Sequence, residues 1–240
     1  MANGTRRDAL VVRGGWEGHI PVEATEEFLP FLESHGFAVD VRTSLDVYTD
    51  AERMAAADLV VQCWSRGEIT KEQVDGLAAA VRAGTGFAGW HGGIVAAFLG
   101  SRTYHHLTGG VFLQHPGGFV DHEMAVVPER ADHEIVVGID SVALHTEKYW
   151  VLTDPYIDVL ATVTFPPDQH GDGPDGGTPW RAPVTLPAVW TRRWGAGRVF
   201  VSTVGHKLDD LRVPEIFTLT GRGLLWAARP AAGSASREAG

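Results

Sequence analysis

Along the first hundred residues, short apolar runs alternate with stretches whose apolar positions recur at helical spacing. Asp8 to Arg13 reads as a buried strand, and Gly14 to His19 as the loop that leaves it. Pro21 opens a helix with Glu23, Glu26 and Glu27 near its positive end and Phe28, Phe31 and Leu32 as core contacts. Pro30 is expected to kink or interrupt that helix. Phe37 to Arg42 gives a second strand, Ala51 to Ala57 a short helix, and Leu59 to Cys63 a third strand. Thr70-Lys71-Glu72-Gln73 has the form of a capping box and starts a helix to Arg82, with Val74, Leu77, Ala78 and Val81 facing inward. Gly84 closes it. The apolar run Phe87 to Trp90 then predicts a central strand, a tight turn carrying His91, and a helix leaving at once through Ile94 to Leu99.

Strands alternating with helices in this way imply a parallel, doubly wound sheet, in which ligands gather beyond the carboxyl ends of the strands. The loop with His19 and the turn with His91 both fall at that edge. A strained strand-to-helix turn raises one side chain above the sheet, as in a nucleophile elbow. Here that residue is a histidine. The bland alternative is an exposed histidine on a glycine-rich turn.

After Leu99 the pattern changes. Tyr104-His105-His106 and Gly109 to Pro116 look like loops around a short strand. Further strands are expected at His122–Val127, Val142–Thr146, Val159–Phe165, Val184–Trp190 and Arg198–Thr203, some of them antiparallel. Pro214 to Ala228 supplies a closing helix. Pro166 to Pro183 is crowded with Gly, Pro and Asp, which suits either a mobile lid or a disposable insertion. Residues 1–228 are read as one α/β domain and 229–240 as a disordered tail.

Composition narrows the function classes. The chain has 240 residues, 44% of them hydrophobic, enough for one sizeable core. A formal net charge of -10 argues against a nucleic-acid or anionic-membrane surface. No run approaches the roughly 18 apolar residues of a membrane span. The first eight residues lack an apolar signal core, so a cytoplasmic location is expected. Cys63 is the single cysteine, which excludes an internal disulfide framework and suits a small buried thiol. Eleven histidines are the compositional oddity.

Taken in order, several segments resemble the ThuA (trehalose-utilisation) family, which has a class I glutamine-amidotransferase-like fold. Gly86 to Gly93 is similar to its Gly-Xaa-His-Gly turn and Gly109 to Pro116 to its Gly-Gly-Xaa-Phe…His-Pro element. Asp132-His133-Glu134-Ile135 resembles an Asp-His-Pro-Ile segment, with Glu134 where proline is usual. Thr146-Glu147-Lys148-Tyr149 resembles Asp-Glu-Xaa-Tyr, with Thr146 in place of the acid. Pro187 to Thr191, Gly195 to Phe200 and Val204-Gly205-His206 complete the C-terminal signature. The resemblance spans about residues 8 to 228. It implies a three-layer, flavodoxin-like α/β sandwich with a mainly parallel sheet and added antiparallel strands. It also implies a small-molecule ligand, a carbohydrate by preference.

In amidotransferases of this fold a cysteine sits on the elbow and a late histidine activates it. Here His91 replaces the thiol and His206 falls where its partner is expected, so thioester-forming glutaminase chemistry is not expected. His19, His91, His115, Glu147 and His206 would converge over one sheet edge. Two chemistries follow. His19, His91, His115 and His206 are candidate ligands of a divalent metal, with Zn²⁺ the default. Alternatively His91 and His206 act as acid and base, with Glu147 orienting an imidazole or serving as base itself. Trp16, Trp64 and Trp90 follow or end strands at this edge. With His19, His115 and Tyr149 they are candidate substrate contacts; the alternative for the aromatic residues is packing. His35, His105, His106 and His170 are assigned to ordinary hydrogen bonds, and His122 and His133 are left open. The leading expectation is an enzyme acting on a small sugar or keto-sugar. Its rivals are a non-catalytic binding module and a metal-dependent hydrolase of a non-sugar ligand. Oligomeric state stays open, a homo-oligomer included.

Overall fold

Side chains that alternate faces along each early strand build a sheet covered on both sides. The structure, a computed structural model, describes residues 6–167 and 178–230. The core of the 166–183 excursion, His170 and all but the first two residues of the expected tail lie outside these residues. In chain order the strands are β1 (Arg7–Gly15), β2 (Phe37–Arg42), β3 (Leu59–Ser65), β4 (Gly86–Trp90), β5 (Gly110–Gln114) and β6 (Phe119–Val126). They continue with β7 (Ser141–Glu147), β8 (Trp150–Thr153), β9 (Asp158–Phe165), β10 (Val184–Trp194) and β11 (Gly197–Ser202). The helices are α1 (Pro21–Glu26), α2 (Leu29–Ser34), α3 (Ala51–Ala56), α4 (Lys71–Ala83), α5 (Gly92–Val95), α6 (Arg102–Thr108), α7 (Leu208–Leu211) and α8 (Pro214–Ala227).

Nine strands form one sheet in the order β2-β1-β3-β4-β11-β10-β9-β6-β7. From β2 to β11 every neighbouring pair is parallel, and from β11 to β7 every pair is antiparallel. Leu10, Val12, Val60, Phe87, Val199 and Val201 pack with Met54 of α3, Leu77 of α4 and Leu107 of α6. Ala9, Val11, Val61, Ala88 and Phe200 pack on the opposite face with Ala24 of α1, Leu32 of α2 and Leu219 of α8. This period-two division makes a three-layer α/β fold with a parallel half and an added antiparallel half. β5 and β8 pair separately as a small antiparallel ribbon.

Several local expectations hold. The α4 capping box is present, with Thr70 Oγ accepting from Gln73 N and Gln73 Oε1 accepting from Thr70 N. The first helix breaks at Glu27–Phe28, and Pro30 falls in the first turn of α2, where a missing N–H costs little. Other expectations need correction. Tyr104-His105-His106 is not a loop but part of α6, whose cap is Ser101 Oγ accepting from Tyr104 N. β8 was not anticipated. The helix after His91 is a single turn. Its continuation fails because the Ala96 carbonyl accepts from Arg66 N at 2.8 Å, and Ala97 bridges to Arg66. Downstream of the excursion, Trp180 packs against Trp150 and donates its Nε1–H to the Pro166 carbonyl at 3.0 Å.

Trp190 joins the two halves of the fold: it is fully buried, and its Nε1–H donates to the Thr108 carbonyl at 2.9 Å. Trp190→Ala should therefore cost about 3–5 kcal/mol in a chemical denaturation curve, with an additional orphaned carbonyl. A loss under about 1 kcal/mol would show that the antiparallel half is held by other contacts.

Candidate functional site

His91 leaves β4 at φ 47°, ψ -142°, a conformation that costs a non-glycine residue about 1–3 kcal/mol. Backbone bonds hold it there: His91 N donates to the Ser202 carbonyl at 2.7 Å, and its own carbonyl accepts from Val95 N at 3.0 Å. The turn lifts the imidazole over the carboxyl ends of the parallel strands. His19 arrives from the loop after β1, and His206 from the turn after β11. Gly92 makes the first approach possible, since a Cβ there would stand 2.0 Å from His19 Cε1. Gly205, at φ 127°, lets the β11 exit cross over Trp90, whose Cδ1 would lie 3.0 Å from an added Cβ.

Glu147 comes from the far side of the sheet. It ends β7, and the short link to β8 carries Glu147 and Tyr149 across the elbow. Tyr149 is buried and stacks on His91 with ring centroids 4.1 Å apart. Glu147 Oε2 then lies 3.2 Å from His91 Nε2 and 3.0 Å from His206 Nδ1. One potential ligand atom from each of His19, His91, Glu147 and His206 lies within 4.8 Å of the others. His115 is not a member of that group. It stands beside it, with Nε2 3.7 Å from Glu147 Oε1 and a side chain 39% exposed. Of the five residues expected to converge, four, Glu147 among them, form the group, and His115 lies just outside it.

The hydrogen bonds leave this group short of protons. His91 Nδ1 is 2.8 Å from the Thr203 carbonyl, an acceptor only, so Nδ1 carries the proton and Nε2 presents a lone pair. That lone pair faces a carboxylate oxygen. One N–H on His206 Nδ1 can be shared between Glu147 Oε2 and His91 Nε2, 3.0 and 3.3 Å away. His19 Nδ1 is buried without a partner among the described residues.

Charge states follow the same pattern. Burial, with added repulsion from His91 and His206, lowers the His19 pKa from 6.5 to about 3. Burial also lowers that of His91, against the attraction of Glu147 and the bond to Thr203, so the ring stays neutral. Burial would raise the Glu147 pKa, but its imidazole neighbours, the N–H of His206 first among them, outweigh it and hold the carboxyl below its usual range. Lone pairs on neutral imidazoles beside an ionised carboxylate are the donor forms a divalent metal requires. The Nδ1–H to carbonyl bond of His91 is the usual outer-shell support of a ligating histidine.

The aromatic candidates divide. Trp16 is 38% exposed and meets His19 edge-on at 4.8 Å. Trp90 is corrected: strand alternation turns it into the core, 1% exposed and 5.0 Å from the Phe28 ring. Trp64 is half-buried, with its ring close to Gly14 and packed against the α4 side. Tyr149 backs His91 rather than facing outward. Sequence reasoning missed Phe119, 46% exposed and edge-on to His206 at 4.9 Å, and Arg66, whose guanidinium lies 3.8 Å above the Trp16 ring. No local motif marks either residue. Among the other histidines, His35, expected to make an ordinary hydrogen bond, bonds the Phe31 carbonyl, and His122, left open, bonds the Val120 carbonyl through Nδ1. His133 Nδ1 accepts from Ile135 N. Cys63 is buried away from the group, its thiol pushed up to about 12 by burial.

The family profile described as "ThuA: Trehalose utilisation" matches residues 8–227. The chain belongs to the ThuA family. Two solved ThuA-like proteins share the fold. One from Parabacteroides merdae has a TM-score of 0.69 at 16% identity, covering 93% of this chain and 90% of that one. One from Bacteroides uniformis has a TM-score of 0.67 at 18% identity, covering 95% and 91%. A protein titled cytoplasmic, from Salmonella typhimurium LT2, has a TM-score of 0.61 at 15% identity, covering 92% of this chain and all of its own. No curated protein matches the sequence significantly. Among the described residues of this ThuA-family chain, no helix is long and apolar enough to cross a membrane.

His19 and Glu147 both bind protons more weakly in the folded chain than in the unfolded one, so acid destabilises the fold through both. The His19 contribution is complete above about pH 6.5 and declines as pH falls toward 3; Glu147 adds a loss below about pH 4.5. In chelator, His19→Gln should flatten the decline in denaturation midpoint between pH 6.5 and 4.5. An unchanged slope would mean that His19 titrates normally.

Proposed function

We propose that His19, His91, Glu147 and His206 together hold one divalent transition metal, Zn²⁺ by default, in a site that acts on a small carbohydrate or its keto derivative. The observation that carries this reading is the set of facing acceptors. A neutral His91 Nε2 looks at an ionised Glu147 oxygen 3.2 Å away, with one ring nitrogen of His19 alongside. A cation satisfies all of these atoms at once; one shared proton does not. Three imidazoles and a carboxylate suit borderline ions such as Zn²⁺. The carbohydrate part is supported by the description of the family and by the exposed faces of Trp16 and Phe119 beside the histidines. The cytoplasm is the compartment this reading assigns, in keeping with the Salmonella neighbour.

A bound ion would supply Lewis acidity toward a sugar hydroxyl or carbonyl oxygen. The protein's own part is to orient and to move protons. Thr203 fixes the His91 tautomer, and Tyr149 fixes its plane. His115, half open to solvent and within reach of Glu147, is the group placed to exchange a proton with substrate. Glutaminase chemistry is excluded in this reading, because an imidazole stands where the thioester would form and Cys63 is buried and protonated. A second reading, a ligand-binding module without turnover, draws on one observation. Four protein donors would fill a tetrahedral ion, whereas a five- or six-coordinate ion keeps positions for substrate oxygens.

Equilibrium dialysis should show one Zn²⁺ per chain. His19→Ala, His91→Ala and His206→Ala should each weaken it by about 100-fold or more, whereas His115→Ala should change it by less than about threefold. Where turnover of a sugar is found, the His91→Ala/His206→Ala pair should lose little more than either single variant, because the residues act as a unit. Equal loss of metal in His115→Ala, or fully additive losses of turnover, would contradict the assignment.

A further inference from the structure

Arg66 is built into the rim of the histidine group in a way that packing alone does not require. It follows β3 directly, at φ 59°, a left-handed conformation unfavourable to an arginine. Two backbone bonds clamp it there: Arg66 N donates to the Ala96 carbonyl at 2.8 Å, and the Arg66 carbonyl accepts from Phe98 N. Phe98, on the other side of the clamp, also has positive φ, at 50°. The chain thus holds two strained residues to fix one exposed side chain.

The guanidinium lies over Trp16, 3.8 Å from the ring centroid, and Trp16 in turn touches His19. Its charge is felt at both His19 and Tyr149, which places it within electrostatic reach of the group from outside. Yet it has no carboxylate or carbonyl partner among the described residues. The other cation at the rim is committed: Lys207 Nζ donates to the His145 carbonyl at 3.0 Å and lies 3.9 Å from Asp210. On a chain of net charge -10, an unpaired, preorganised arginine at the mouth of a site is a device for an anion. Its place over the Trp16 ring limits the side chain's freedom, while among the described residues no group takes its N–H donors.

We infer that the substrate carries an oxyanion group, a carboxylate or a phosphate on the sugar, which Arg66 binds beside Trp16 while the remainder lies toward His19 and His206. This rests on the reading of the histidine group as the substrate site, and it narrows that reading from sugars in general to acidic ones. A neutral disaccharide would leave the guanidinium without a bidentate partner and would gain only the aromatic faces. Arg66 is then a specificity-determining residue: it selects the ligand without taking part in bond breaking.

Calorimetric titration of the Zn²⁺-loaded full chain with D-gluconate, D-glucose 6-phosphate and D-glucose tests this. One of the two anionic probes should bind at least tenfold more tightly than glucose, and which one does so separates carboxylate from phosphate. Arg66→Gln should remove that preference, Arg66→Lys should restore part of it, and both should keep the parent's Zn²⁺ stoichiometry and melting temperature. Zn²⁺ dialysis on the same samples separates the two readings. Loss of the preference with Zn²⁺ bound confirms the inference, and an Arg66-dependent preference in a chain that binds no Zn²⁺ overturns only the metal assignment. Equal affinity for all three probes, no binding of any, or an anion preference that survives in Arg66→Gln overturns the role of Arg66.

Discussion

His91 can face Glu147 only because its backbone leaves β4 in a left-handed conformation and is held there from two sides. The Ser202 carbonyl takes its N–H, and the Thr203 carbonyl takes its Nδ1–H, so the end of β11 and the residue after it fix the backbone and the ring. Beneath the turn, Gln62 donates to the Gly93 carbonyl at 3.0 Å, and Tyr104 donates to the Ile94 carbonyl at 2.9 Å. Gln62 also accepts from Tyr48 and bonds Tyr104. This buried, satisfied network is a rigid seat for a one-turn helix that could not hold itself. The strain at His91 is therefore supported by the core, and the imidazole arrives with a fixed tautomer.

The consequence is an arrangement with too many acceptors. Bringing the β7–β8 link across the elbow sets a carboxylate against a lone pair at 3.2 Å, with two more histidines alongside. Burial works against extra protons on His19 and His91, so the usual relief, an imidazolium, is disfavoured. A divalent cation resolves the same conflict without protonating anything. The rim then follows from the walls: Trp16 with Arg66 on the His19 side, Phe119 with Lys207 on the His206 side.

Much of this was legible in the sequence, and the limits have physical causes. Strand-end glycines and the apolar run before Trp90 locate His91, because only a very tight turn needs so many small residues together. His206 follows from a strong strand and a glycine. Glu147 is marked only by the Thr146-Glu147-Lys148-Tyr149 resemblance, since its place depends on a crossing between two sheets that no spacing encodes. The same crossing sets the order of approach: Glu147 reaches His91 and His206 directly, whereas His115 stands beside the group, 3.7 Å from Glu147. Tyr104-His105-His106 looked like a loop because its polar residues hid a short helix whose buried members are Tyr104, Leu107 and Thr108. Trp90 looked available because a residue at a strand end can face either layer, and the pleat turns this one inward. Arg66 was invisible, since its conformation is imposed by Ala96 and Phe98 thirty residues later.

The central claim is that these four side chains meet on one metal ion, and X-ray absorption spectroscopy of the Zn²⁺-loaded chain tests it most directly. The account predicts one ion per chain with a first shell of nitrogen and oxygen at about 2.0–2.2 Å. It further predicts the multiple-scattering pattern of three imidazoles, reduced to two in His19→Ala. A shell of water and carboxylate oxygens with no imidazole scattering, or an unchanged pattern in His19→Ala, would contradict it.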